Sequence, residues 1–208
     1  MTSFYDRHIM PRLIRCACSA EGISRRRARV VPLAQGRVLE LGCGGGLNFQ
    51  HYDSARVSQV IGLDPSAELR RMAETQAVGC VTPIDVCHGV AEAVPFEDLS
   101  FDTVVLTFTL CTVGNPAAAL SEIRRVLKPQ GKLLFCEHGQ SPEPPIQVWQ
   151  NRLEPIWKRL AGGCHLSRPI TALIEAAGFK IADAQSGYIR KMPKVAAWIE
   201  LGSATVLR

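Results

Sequence analysis

The stretch Val38-Leu39-Glu40-Leu41-Gly42-Cys43-Gly44-Gly45-Gly46-Leu47-Asn48 constrains this chain most: an apolar strand runs straight into a cluster of glycines. Glycines let the backbone turn sharply and approach a ligand closely, and a helix expected over Gly46 to Tyr52 would add free amides at its N-terminus. A nucleotide-like ligand suits such a turn. The spacing is GxGxG, and Leu47 stands where the dinucleotide fingerprint GxGxxG requires glycine, which argues against NAD or FAD. Glu40, at the carboxyl end of the strand, would repel a pyrophosphate but attract or water-bridge a cation. Asp64 ends the next strand, Val60-Ile61-Gly62-Leu63-Asp64-Pro65, where a carboxylate accepts hydrogen bonds from ribose hydroxyls.

Between Gly36 and Glu137 short apolar runs alternate with longer amphipathic ones, the pattern of a parallel sheet with crossover helices. Strands are expected at Arg37 to Leu41, Val57 to Leu63, Ile84 to His88, Phe101 to Thr107 and Lys132 to Glu137. Helices are expected at Ser66 to Ala77 and Pro116 to Leu127, the latter with Asn115 as N-cap, Pro116 at the first helical position and a Lys128-Pro129-Gln130-Gly131 turn behind it. The three prolines between Ser141 and Pro145 separate this region from a helical insert, Ile146 to Leu160, which stops at Gly162-Gly163. A helix over Pro169 to Ala177, stopped by Gly178, and two apolar runs, Phe179 to Ser186 and Lys194 to Val206, complete the chain. At 208 residues the length suits one domain. Within it, 1–35 is expected to form a helical lid over the mouth, 36–140 a cofactor-binding core, 141–168 a substrate insert, and 169–208 the last helix and strands.

Lys and Arg exceed Asp and Glu by 24 to 19, and much of the excess lies in the first thirty positions. The Arg25-Arg26-Arg27-Ala28-Arg29 run reads as a solvated helix face, with a weak peripheral contact to a membrane surface left open. No apolar stretch reaches 18 residues, and Asp6, Arg7 and His8 occupy the place of a signal peptide's apolar block, so the expectation is a cytoplasmic protein. The eight cysteines include no CxxC pair, so no metal site is expected and they read as buried thiols. Aromatic residues, 6% of the chain, are too sparse for a base-stacking platform, and nucleic acid is not the expected partner.

The glycine turn with its preceding acid, Asp64, Gly89-Val90-Ala91-Glu92-Ala93-Val94-Pro95-Phe96, Phe101-Asp102-Thr103-Val104-Val105, and Val126-Leu127-Lys128-Pro129-Gln130-Gly131 follow one another in the order and spacing of a known family. Over Gly36 to Glu137 the chain resembles the class I S-adenosylmethionine-dependent methyltransferases. The resemblance implies a Rossmann-like α/β fold with a mostly parallel seven-stranded sheet flanked by helices. It implies S-adenosyl-L-methionine as cofactor, held by Glu40, Gly42, Cys43, Gly44, Gly46, Asn48, Asp64, Pro65, Ala91, Glu92 and Thr107. Val90 departs from the family's usual aspartate beside the adenine. The motif by which nucleic-acid amino methyltransferases orient an exocyclic amine does not occur in Leu106 to Cys111.

Downstream, Leu110-Cys111-Thr112-Val113, Cys136-Glu137-His138-Gly139, Gln150, Pro155-Ile156-Trp157 and Gly163-Cys164-His165-Leu166-Ser167-Arg168 look like the C-terminal half of the microsomal alkyl-thiol methyltransferase group. That group opens with a membrane-inserting segment, and no comparable apolar run stands here. The resemblance implies a small lipophilic acceptor, favouring a thiol. Only the thiolate is a good nucleophile, so a base is needed, and His138 is the candidate; a histidine that merely packs its loop is the alternative. Tyr5, His8, Cys111, Trp149 and Arg168 are the candidate substrate residues. Methylation of a quinone, phenol or phospholipid amine, and a non-catalytic cofactor-binding module, remain alternatives. The oligomeric state is left open.

Overall fold

The computed structural model describes residues 18–207. Tyr5 and His8 lie outside the described residues. Among the described residues, helix α1 (Glu21–Val30) leads into β1 (Gly36–Leu41), β2 (Val57–Asp64), α2 (Ala67–Ala77), β3 (Ile84–His88), β4 (Phe101–Thr107), α3 (Pro116–Val126) and β5 (Leu127–His138). After these come α4 (Pro144–Leu160), α5 (Ile170–Ala176), β6 (Phe179–Tyr188) and β7 (Trp198–Val206). The seven strands form one sheet in the order β3-β2-β1-β4-β5-β7-β6. Strands β1 to β5 pair in parallel, and β7 runs antiparallel to both β5 and β6.

The chain leaves β1 toward β2 on one side and returns to β4 on the other. This reversal opens a crevice at the carboxyl ends of β1 and β4, the place where open α/β sheets bind ligands. Side-chain alternation feeds both faces of the sheet. Leu39, Leu41, Val104, Leu106, Leu133 and Phe135 pack against α3 and α5, whereas Val38, Val60, Val105, Leu134 and Cys136 pack toward α1 and α2. The fully buried Leu120 and Ile123 anchor α3, each contributing about 1.5–3 kcal/mol. An aspartate at either position would leave a charge in that layer.

Local chemistry explains the helix starts. Ser66 Oγ accepts the Leu69 N–H at 3.3 Å to open α2, and Asn115 Oδ1 accepts the Ala118 N–H at 3.1 Å to open α3 with Pro116 behind it. Gly178, at φ +83°, ends the turn after α5.

Three expectations change. No α-helix follows the glycine turn: only a short 3-10 turn, Phe49–His51, forms there. Gly44 and Gly46 take positive φ, and Asn48 is drawn into a buried polar network, so the segment never enters helical geometry. Second, β5 starts at Leu127, paired with Phe101, and its ladder shifts register across the Lys128 to Gly131 turn before resuming at Lys132. Third, α4 starts at Pro144 rather than Ile146, because proline is well suited to a first helical turn.

Candidate active site

A cavity of about 410 Å³ opens at the carboxyl ends of β1, β2 and β4. Gly42, Cys43, Gly44, Asp64, Pro65, Ala91, Glu92 and Thr107, all expected there, stand in its wall. Gly42 has φ +66°, and a Cβ on it would lie 2.3 Å from Thr109 Oγ1. Gly44 has φ +55°, and a Cβ on it would meet nothing within 4 Å. One glycine is thus required by packing, and the other leaves room in the cavity. Asp64 braces the turn: its Oδ2 accepts the Gly44 N–H at 2.9 Å and its Oδ1 the Ser66 N–H at 2.8 Å. Burial pushes its carboxyl above the ordinary range, against the pull of those amides. Glu92 Oε1 accepts the Gly114 and Asn115 N–H groups at 2.9 and 3.2 Å, which ties the far wall to the start of α3.

Glu40, Gly46 and Asn48 are placed differently. Glu40 shares the strand face of Val38, directed toward α1, and is only 1% exposed. Its carboxylate accepts Asn48 Nδ2 at 2.9 Å and the Tyr52 hydroxyl at 2.6 Å. Burial, partly offset by the Tyr52 hydroxyl, pushes its carboxyl up to about 7. Gly46 faces the Phe49 ring and Gln76. Asn48 joins the cavity to α1: its Oδ1 accepts Arg27 Nη1 at 2.9 Å, while Thr107 Oγ1 accepts both Arg27 Nη1 and Asn48 Nδ2 at 2.8 Å.

Arg27 corrects the reading of the arginine run as a solvated face, which holds for Arg25 and Arg29. It is buried and lines the cavity, whereas Arg25, two residues earlier, is exposed. Its Nε is buried without a partner among the described residues. A cavity that combines a carboxylate over the glycine turn, an open glycine and an unpartnered guanidinium N–H fits a cofactor carrying both a ribose and an amino-acid carboxylate.

A second cavity of about 340 Å³ adjoins the first. Cys18, Phe108, Thr112 and Ala161 line both. Phe108 holds φ +59°, a strained setting for an aromatic residue, at the junction between them. The rest of the second wall is mostly apolar, including Ile23, Trp157, Leu160, Ile189, Met192 and Ile199. His138 and Cys111 stand in it, as does Cys164. His138 Nδ1 lies 3.4 Å from Cys164 Sγ, and its Nε2 is buried with no partner among the described residues. Glu137, fully buried, accepts the Thr109 and Cys111 N–H groups at 2.8 and 3.0 Å and so holds the loop that frames this cavity.

Of the candidate substrate residues, Cys111 meets the cavity and two others do not line it. Trp149 is half exposed on the outer side of α4, with Arg152 stacked over its ring. Arg168 donates to the carbonyls of Leu110 and Val113, clamping the loop after β4. Residues missed by sequence reasoning include Arg27, Phe108, Thr112 and Cys164. Among the described residues no cluster of His, Cys, Asp and Glu is arranged to hold a metal ion, and no helix is long and apolar enough to cross a membrane.

The family model described as "Methyltransferase domain" matches residues 39–135. The chain is 40% identical over 146 residues to the thiol S-methyltransferase TMT1B of Rattus norvegicus, covering 68% of this chain and 59% of the relative. It is 34% identical over 181 residues to the thiol S-methyltransferase TMT1B of Homo sapiens, covering 81% of this chain and 69% of that one. The chain thus spans roughly three-fifths to two-thirds of these relatives' length. In fold it is similar to a crystal structure of a SAM-dependent methyltransferase from Thermotoga maritima, with a TM-score of 0.66 at 20% identity over 96% of this chain and 98% of that one. With S-adenosylmethionine as its cofactor, the chain belongs to the class I S-adenosylmethionine-dependent methyltransferases.

Proposed function

We propose that the protein transfers the methyl group of S-adenosylmethionine to the sulfur of a small apolar thiol. The observation that carries this reading is the junction of the two cavities: a polar one built on the glycine turn and Asp64 meets an apolar one with His138 in its wall. The thiol S-methyltransferase relatives support the choice of sulfur.

S-adenosylmethionine supplies a methyl carbon on a positively charged sulfonium, open to in-line attack. The protein's part is then to bind, orient and dry the two reactants. Asp64 would accept ribose hydroxyls, and Arg27 Nε would donate to the amino-acid carboxylate. Trp157, Leu160, Met192 and Ile199 would enclose the acceptor's apolar body and exclude water, which positions its sulfur for attack over about 3 Å. Even free cysteine, with a pKa near 8.5, is only a few per cent thiolate at neutral pH, and an apolar alkyl thiol is less ionised still. The imidazole of His138, in the wall of the acceptor cavity, would take the acceptor's proton. Phe108 and Thr112, shared by both walls, would set the distance between the reacting groups.

The test is calorimetric titration with S-adenosylmethionine, followed by labelled methyl transfer to small apolar thiols, phenols, quinols and amines. Binding with transfer to thiols supports the proposal. Transfer confined to oxygen, carbon or nitrogen acceptors overturns the sulfur assignment, and binding without any transfer overturns the catalytic reading.

A further inference from the structure

Two thiols stand side by side in the acceptor cavity, on segments far apart in sequence. Cys111 lies in the loop after β4 and Cys164 just beyond α4, yet their sulfurs are 3.7 Å apart. The segments are tied together around them. His165 N donates to the Cys111 carbonyl at 2.8 Å, Arg168 donates to the carbonyls of Leu110 and Val113, and Glu137 holds the Cys111 amide. The pairing is thus fixed by backbone-directed bonds on both flanks, and a disulfide requires the sulfurs to approach by a further ~1.7 Å to reach ~2.05 Å.

The two thiols are unlike. Cys164 is partly exposed and has His138 Nδ1 at 3.4 Å from its sulfur, whereas Cys111 is buried at 1% exposure. The contact with Cys111 and the neighbouring imidazole pull the Cys164 thiol well below its ordinary range, and the same contact together with burial pushes Cys111 up. The other described cysteines are all pushed upward, chiefly by burial. One thiol of the pair is suited to attack and the other to resolve.

We propose that Cys111 and Cys164 form a redox-active dithiol that takes small apolar disulfides into the acceptor cavity and reduces them to thiols. The Cys164 thiolate attacks one sulfur of R–S–S–R, the S–S bond breaks, and R–S⁻ leaves. Cys111 gives up its proton and attacks the Cys164 sulfur of the mixed disulfide, releasing the second R–S⁻, which with that proton accounts for one R–SH. In sum, one thiolate and one thiol of the protein are oxidised to a disulfide while R–S–S–R is reduced to R–S⁻ and R–SH. A low-molecular-weight thiol such as glutathione returns the protein to the dithiol. The identity of R rests on the thiol reading of the cavity, since a site shaped for R–SH also accommodates the R group of its oxidised dimer; the exchange itself needs no methyl transfer.

The reduced full chain, mixed with one equivalent of neutral dithiodipyridine, provides the test. The expected result is release of both thiopyridone halves, a protein that retains no probe, and a Cys111–Cys164 bridge in the peptide map. Cys164 should react about tenfold or more faster than the partly exposed Cys80, as its greater thiolate fraction dictates. In Cys111→Ser the reaction should stop after one thiopyridone, with the probe held on Cys164. Probe retained on Cys164 in the unsubstituted protein, or Cys164 no faster than Cys80, overturns the proposal, and both are read without any variant. Methyl transfer is measured separately. A bridge with no thiol methylation supports the dithiol and sinks the acceptor reading, whereas thiol methylation with no bridge does the reverse.

Discussion

Asp64 Oδ2 accepts the Gly44 N–H at 2.9 Å, so the carboxylate that ends β2 also holds the glycine turn that ends β1. Asp64→Ala removes both this brace and the ribose acceptor. Losing hydrogen bonds to a charged group costs about 1.5–3 kcal/mol, so calorimetry should show S-adenosylmethionine binding weakened by roughly 10- to 100-fold. Unchanged affinity would mean that the nucleoside binds elsewhere.

Gly42→Ala and Gly44→Ala should separate folding from binding. At Gly42 the new methyl would lie 2.3 Å from Thr109 Oγ1, and the expected outcome is a large loss of stability in thermal unfolding. At Gly44 there is open space, so only the left-handed backbone is strained, costing about 1–2 kcal/mol, while a methyl added in the cavity wall weakens cofactor binding. Equal stabilities for the two variants would contradict this account of the turn.

Glu40 makes stability depend on pH in an unusual direction for a carboxylate. Its folded-state value, pushed up to about 7 mainly by burial, lies above the unfolded value of about 4.3. Between these values the folded chain holds the extra proton, so this residue's contribution is fully present below about pH 4.3 and is lost as the pH rises through about 7. Glu40→Gln should flatten the fall in unfolding free energy between about pH 4.3 and 7, measured by urea titration. An unchanged slope would remove Glu40 as its source.

His138→Ala should slow thiol methylation unevenly with pH. Below the acceptor's own pKa a base has most to contribute, and above it the thiolate is already formed. The kcat/KM ratio of the parent protein to the variant should be largest near pH 6–7 and should shrink toward alkaline pH. A ratio constant across pH would identify His138 as a packing residue.

The strands were legible because runs such as Val104 to Leu106 are buried on both faces, and α2 and α3 because Ser66 and Asn115 cap them through local chemistry. The glycine turn and Asp64 were legible for a similar reason: each is a short motif whose role is set within a few residues. Arg27 was not, because four arginines in one short run look alike until α1 packs and turns one of them onto Asn48 and Thr107. The strand alternation that sends Glu40 to the α1 face could have revealed its burial, since Val38 shares that face. The meeting of Cys111, His138 and Cys164 spans more than fifty residues and has no spacing signature. Trp149 and Trp157 lie on one amphipathic helix, and only the docking of α4 decides that Trp157 faces the cavity and Trp149 does not.

The most direct measurement of the central claim compares kcat/KM for an apolar alkyl thiol with that for the alcohol of the same carbon skeleton, under identical cofactor saturation. The two share one carbon skeleton, so the comparison turns on the nucleophilic atom. The account predicts transfer to the thiol at least about a hundredfold faster, because the thiol yields its proton to a base near neutral pH and the alcohol does not. Equal rates, or transfer to the alcohol alone, would contradict it.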